Sequence, residues 1–223
     1  WEILSDQILE LPLTQKYDHL IIDEAQDFSV SDLKVMNLIA NNITVFADEN
    51  QQLVDRGVAD KEIIKELLNI EDDDYYPLKE NHRNTKQIME AAVSLAPDQI
   101  DVNLNEVIRS GQKPRIVSFP SFDDEIKFIA KVVRANQQKD IGILHIEKNV
   151  IKRMHEKLES KYSDLQFELM RQDTFDWESA SPKLCTLNSA KGLEFDIVIM
   201  PHMNKDNYYS HPMNIKRIYV GMT

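Results

Sequence analysis

Glycine is scarce in this 223-residue sequence, occurring only as Gly57, Gly111, Gly142, Gly192 and Gly221. A phosphate-gripping loop of the form Gly-x-x-x-x-Gly-Lys followed by Ser or Thr needs glycines at a fixed spacing, so that backbone N–H groups can curl around the anion. No pair of these five has that spacing. Cysteine occurs once, at Cys185. That excludes an internal disulfide, and the apolar, strand-like surroundings of Cys185 favour packing over nucleophilic chemistry. No apolar run approaches the roughly 20 residues of a membrane-spanning helix, and the opening Trp1-Glu2-Ile3-Leu4 shows no basic leader, so a cytoplasmic protein without membrane contact is expected. Positive charge is also in deficit: 26 Lys and Arg against 38 Asp and Glu give a formal net charge of −12. A surface that binds nucleic acid by charge alone needs clustered Lys and Arg, so any such contact here must be local. The run Glu71-Asp72-Asp73-Asp74 reads as a solvated loop.

What is present is a soluble, globular composition, 42 % hydrophobic and 29 % charged, with strand-like and helix-like segments in alternation. That alternation predicts an α/β fold with mostly parallel sheets covered by helices. Leu20-Ile21-Ile22 reads as a short apolar strand ending in Asp23-Glu24. A helix follows, capped by Ser31, with Leu33, Met36, Ile39 and Ala40 on one face. Ile43 to Ala47 is the next strand, ending in Asp48, and Lys61 to Leu68 is another helix. A polar run, Asn81-His82-Arg83-Asn84-Thr85, precedes a restart of the pattern. Beyond it come a helix from Lys86 to Leu95, a strand at Arg115 to Phe119, and a helix capped by Ser121 and Asp124 with Ile126, Ile129, Ala130 and Val133 on its apolar face. Ile141 to Leu144 is a buried strand, followed by a helix aligning Ile151, Met154 and Leu158. Leu184 to Leu187 and Ile197 to Met200 are further strands, joined by a short helical connection carrying Lys191 and Gly192. Two α/β units joined near Thr85 is the economical reading.

An apolar strand with carboxylates at its carboxyl end lies where α/β sheets place ligands, and nucleotide hydrolysis needs one acid to hold Mg²⁺ and a second to orient the attacking water. In Leu20-Ile21-Ile22-Asp23-Glu24-Ala25-Gln26-Asp27, Asp23 takes the metal-side role and Glu24 that of the base. This string resembles helicase motif II of the UvrD/Rep group of superfamily 1 DNA helicases, and four later segments resemble that group's motifs in order. Ala47-Asp48-Glu49-Asn50-Gln51 is similar to motif III, whose glutamine senses the terminal phosphate. Leu78 to Thr85 is similar to motif IV, which gives Arg83 contact with the same phosphate. Thr186-Leu187-Asn188-Ser189-Ala190-Lys191-Gly192-Leu193-Glu194-Phe195 is close to motif V. There the resemblance implies DNA-backbone contact by Thr186 and Asn188, and nucleotide contact by Gly192 and Glu194. Arg217 to Thr223 matches the start of motif VI. The resemblance implies a RecA-like fold of the P-loop NTPase type, comprising the end of a first motor lobe (1–85) and a second lobe (86–223). It further implies ATP and Mg²⁺ as cofactors, single-stranded DNA as partner, and a P-loop supplied upstream in the same protein.

The sequence departs from the group's pattern at several points. Ala47 replaces the usual motif III glycine. Where the group often carries base-stacking aromatics after that motif, this chain has Gln52-Leu53-Val54-Asp55-Arg56-Gly57. Asn188 stands where histidine is common, and the interval from Arg83 to Thr186 is long enough for one ordinary lobe but not for a large inserted subdomain. Motif VI in the group continues to a second arginine finger, and the sequence stops at Thr223. Without its upstream segment the chain is expected to be inactive. The rival readings are a non-catalytic helicase-like binding module, the motor of a helicase–nuclease, and an RNA-directed ATPase.

Overall fold

The computed structural model describes residues 16–95, 100, 102–170, 179–204 and 211–223. The opening Trp1–Leu4 lies outside the described residues. The chain forms two compact units, the first running to Glu80 and taking in Ile100, the second running from Asn81 onward.

In the first unit, β1 (Leu20–Ile22) pairs in parallel with β2 (Ile43–Val45), with Leu20 opposite Ile43 and Ile22 opposite Val45. A parallel pair requires a crossover, and α1 (Val30–Ile39) provides it. The cap of α1 is Ser29, not Ser31. The Ser29 hydroxyl accepts the Asp32 N–H at 3.2 Å, and the Asp32 carboxylate accepts the Ser29 N–H at 3.0 Å. This reciprocal box needs an acidic or amide side chain three residues after the cap, and Ser31 has Lys34 there. The helix α2 spans Lys61–Leu68 as predicted, with Asp60 accepting the Glu62 N–H at 2.8 Å. Ile64 and Leu68 join Ile22, Ala25 and Leu33 in one core, which fixes the carboxyl ends of β1 and β2 against the helices.

The second unit opens with β3 (Asn81–Thr85), which runs into α3 (Lys86–Leu95) and pairs in parallel with β4 (Val107–Arg109). The polar run of the sequence is thus a strand. Because its ladder partner is β4, residues 81–85 group with the second unit instead of closing the first. The predicted strand at Arg115 to Phe119 does not form: residues 110–119 lie outside every helix and strand, and Ile116 is fully exposed. Its apolar content is strand-like, but Pro114 and Pro120 flank it and remove two ladder donors.

The elements predicted for the rest of this unit appear in order, joined by a two-residue strand and a last helix that the sequence pattern does not predict. It comprises α4 (Phe122–Ala135), β5 (Ile141–His145), α5 (Lys148–Lys161), β6 (Glu168–Leu169), β7 (Lys183–Thr186), α6 (Leu187–Ala190), β8 (Ile197–Ile199) and α7 (Pro212–Met222). Four strands form an all-parallel sheet in the order β6-β7-β5-β8, with His145 opposite Thr186. Ser121 caps α4 through the Asp124 N–H, and the predicted faces of α4 and α5 are the buried ones. Ile126, Ile129, Ala130 and Val133 meet Ile151, Met154 and Leu158 over Ile143 and Leu184. Each of these side chains apart from Ala130 contributes roughly 1.5–3 kcal/mol of burial. This packing sets the carboxyl ends of β5 and β7 side by side. Among the described residues no helix is long and apolar enough to cross a membrane.

Candidate functional site

In the first unit the chain leaves β1 through Asp23 and turns sharply at Glu24, whose φ of 54° and ψ of 43° are left-handed. A single 3₁₀ turn, Ala25–Asp27, follows. The conformation at Glu24 is uncommon for a residue with a Cβ and persists only where its surroundings dictate it. Three contacts do so. The Ala25 N–H donates to the Phe46 carbonyl at 2.9 Å, the Glu24 N–H donates to Asp23 Oδ1 at 2.9 Å, and Gln26 Nε2 donates to Glu24 Oε2 at 2.6 Å.

Gln26 is completely buried, and its other amide atom, Oε1, accepts the Asp48 N–H at 3.0 Å. Asp48 in turn caps the 3₁₀ turn Glu49–Gln51: Oδ1 accepts the Asn50 N–H at 2.9 Å and Oδ2 accepts Gln51 Nε2 at 2.7 Å. The structure therefore brings Asp23, Glu24 and Gln51 to one end of the β1–β2 pair and links Glu24 to Gln51 through Gln26 and Asp48. Asp27 anchors the next segment by accepting the Leu53 N–H at 2.8 Å, and Leu53 is buried. The segment after Gln51 is accordingly a packed turn. It passes so close to the motif II backbone that a Cβ on Gly57 would collide with the Gln26 carbonyl oxygen.

Asp23 is exposed, whereas Glu24 and Gln51 are half-buried. Among the described residues no group of three or more His, Cys, Asp or Glu side chains could hold a metal ion. A single exposed carboxylate instead fits Mg²⁺, which keeps several waters and is bound through one or two carboxylates together with substrate phosphates.

In the second unit Arg83 lies mid-way along β3, with its backbone held from both sides. Its N–H donates to Asn81 Oδ1 at 3.1 Å, and Arg109 Nη1 donates to its carbonyl at 2.7 Å. Its side chain reaches Glu194, with Arg83 Nε donating to Glu194 Oε1 at 2.8 Å. Gly192, two residues before Glu194, has a φ of +79°, in the region that favours glycine, and open space where a Cβ would stand. Both Arg83 and Glu194 line an open groove of about 1670 Å³ that also takes in Arg109, Leu144, Leu187 and Thr223. Its lining combines apolar side chains such as Leu144 and Leu187 with the charged Arg83, Arg109 and Glu194.

Thr186 ends β7 and caps α6: its hydroxyl accepts the Ser189 N–H at 3.3 Å and lies 2.9 Å from Ser189 Oγ. Thr186 is half-buried and Asn188 exposed. Of the start of motif VI, Ile218 and Tyr219 are buried in α7, and Arg217 Nη1 donates to Asn214 Oδ1 at 2.9 Å. Beside Thr186 in the sheet, His145 is buried with Nδ1 accepting the Glu147 N–H at 2.9 Å, and burial pushes its imidazole below the ordinary range. Burial likewise pushes the Cys185 thiol up to about 12.

The sequence reading gave no role to Gln26, Asp48 or Arg109. Asp48 carried a signal, since it closes an apolar strand as Asp23 does, and Gln26 lay inside the quoted motif. Arg109 had none, because β4 is too short to stand out.

Residues 76–177 match the UvrD-like helicase C-terminal domain. The match opens just ahead of β3, so it includes Arg83 and Arg109, and it closes before Thr186. The chain is also similar to the ATP-dependent DNA helicase PcrA from two strains of Staphylococcus epidermidis, at 27 % identity over 162 residues in each case. That similarity covers 67 % of this chain and 19 % of each relative, so the chain spans about a fifth of the length of the curated relatives it matches. The chain is thus similar over these stretches to helicases of the UvrD-like group.

Proposed function

We propose that this chain supplies the later part of the motor core of an ATP-driven DNA helicase or translocase acting on single-stranded DNA. In this reading the first unit is the end of one RecA-like lobe and the second unit is the other lobe. Phosphoryl transfer has little covalent chemistry for a protein to do and depends on positioning and on charge stabilisation. Asp23 is the residue that would hold a Mg²⁺ ion arriving with ATP, which when bound would supply positive charge against the phosphates. Glu24 orients the attacking water and accepts its proton. Gln51 senses the terminal phosphate, Arg83 neutralises charge as the phosphoryl group leaves, and Gly192 and Glu194 form the wall that meets the nucleotide. Thr186 and Asn188 contact the DNA backbone, which makes binding tolerant of sequence.

The observation that carries this reading is the hydrogen-bonded path from Glu24 through Gln26 and Asp48 to Gln51, which joins two segments about 25 residues apart at the carboxyl end of β1 and β2. A ladder of two strands needs no such arrangement for its own stability. The P-loop is assigned to sequence outside these 223 residues, since no glycine pair here has the required spacing. The test is phosphate release by the full-length protein with Mg²⁺, with and without single-stranded DNA. Stimulation by DNA in excess of that by an RNA of the same sequence supports the reading. Absence of turnover with a P-loop present makes the domain a binding module.

A further inference from the structure

We propose that Gln26 is a positioning residue that transmits phosphate sensing at Gln51 to the carboxylate of Glu24, so that the attacking water is aligned only when the terminal phosphate is engaged. The proposal rests on the reading of Glu24 and Gln51 given above, and adds to it the means by which one informs the other.

The argument starts from the amide itself. A carboxamide is planar, and its oxygen and nitrogen keep a fixed relation. Gln26 Nε2 donates to Glu24 Oε2 at 2.6 Å while Oε1 accepts the Asp48 N–H at 3.0 Å. A displacement of Asp48 must therefore turn the amide or break one of these bonds. Gln26 is fully buried, so an atom left without its partner there is costly, and turning is favoured. Asp48 is itself held by Gln51, whose Nε2 donates to Asp48 Oδ2 at 2.7 Å. When Gln51 redirects its amide to a phosphate oxygen it gives up this bond, and the Asp48 carboxylate, left with the Asn50 N–H as its cap contact, is the first group to respond, ahead of the Asp48 N–H that Gln26 accepts.

The far end of the path is equally constrained. Glu24 has left-handed backbone angles, and the Ala25 N–H is tied to Phe46 in the residue run that leads to Asp48. The carboxylate accepts from the Gln26 amide, which ties its orientation to that amide. Gly57 holds the base of the assembly in place, because the backbone there passes against the Gln26 carbonyl with no room for a Cβ. One buried amide that bonds the Glu24 carboxylate at one end and the Asp48 N–H at the other is a coupling element, whereas a structural glutamine needs only to satisfy the Asp48 N–H.

The two roles separate in a double-mutant cycle on the full-length protein, reading kcat and KM for ATP with single-stranded DNA present. Gln26→Glu keeps the shape and the acceptor for Asp48 but replaces the donor to Glu24. It is expected to lower kcat about tenfold or more with KM within about threefold. Gln51→Ala lowers kcat by itself, and combining the two is expected to add little further loss, since both interrupt one path. Gln26→Met, of similar volume and without charge, removes both bonds and still tests whether its loss adds to that of Gln51→Ala if the buried carboxylate of Gln26→Glu unfolds the unit. Losses that multiply in the double variant overturn the coupling while leaving Glu24 and Gln51 in their assigned roles. Turnover that survives in a Glu24→Gln control overturns the site reading itself, and the coupling with it.

Discussion

Arg83 Nε donates to Glu194 Oε1 at 2.8 Å, joining residues 111 positions apart in the sequence. The pair is open to solvent, with 51 % of the Arg83 side chain and 67 % of the Glu194 side chain exposed. An exposed pair of this kind is worth about 0–1 kcal/mol, so a phosphate oxygen can take over the guanidinium at little cost. Arg83→Ala is therefore expected to leave thermal unfolding almost unchanged and to lower ATP turnover about a hundredfold or more. Differential scanning calorimetry and phosphate release together check this, and near wild-type turnover removes Arg83 from the site.

Thr186 serves two ends at once in this account. As the cap of α6 its hydroxyl accepts the Ser189 N–H, so Thr186→Ala should cost about 1 kcal/mol of stability. As a DNA contact it should also weaken single-stranded DNA binding by a similar factor on unrelated sequences, because a backbone contact carries no base information. Titrating two unrelated oligonucleotides at fixed salt decides the second point. Unchanged affinity for both leaves Thr186 as a cap alone.

The pH dependence of the second unit follows from His145. Burial holds its imidazole below the ordinary value of 6.5. As pH falls through about 6.5, the unfolded chain takes up the proton first and the folded state does not. Stability is thus fully present above this pH, declines below it, and levels off once the folded His145 also protonates. Melting temperatures between pH 7.5 and 5 should show that decline. In His145→Asn, which retains an acceptor for the Glu147 N–H, the part due to His145 should vanish.

Cys185 provides a probe of the same core. It is 2 % exposed, and its thiol is pushed up to about 12. Only the thiolate reacts readily, so labelling by a maleimide should be very slow in the folded protein and fast in denaturant. Fast labelling under native conditions contradicts the packing of β5 and β7 described above.

Much of this architecture was legible in the sequence because the signals were local. The edges of α2 and α3, the Ser121 cap and the buried faces of α4 and α5 all follow from periodicity and capping chemistry. What was not legible depended on partners distant in the chain. Residues 81–85 read only as a polar run, and become a strand because β4 pairs with them. Arg115 to Phe119 look like a strand and lack a ladder. The cap of α1 was misplaced by two residues because Ser29 and Ser31 are equivalent by residue type, and Asp32 chooses between them. At the site, the strand ending in Asp23-Glu24 and the resemblance to the UvrD/Rep motifs pointed to Glu24, Gln51 and Arg83. The buried amide that joins the first two required coordinates, since nothing in a linear string shows that Gln26 points inward to Asp48.

The central claim is that Glu24 is the group that readies water for attack on ATP. Glu24→Gln keeps the size and hydrogen-bonding capacity of the side chain and removes its basicity. The direct measurement compares this variant with the wild-type full-length protein in two assays, binding of a fluorescent ATP analogue with Mg²⁺ and phosphate release with single-stranded DNA. The account predicts binding within about threefold of wild type and turnover reduced about a thousandfold or more. Turnover near wild type, or loss of binding with no change in kcat, contradicts it.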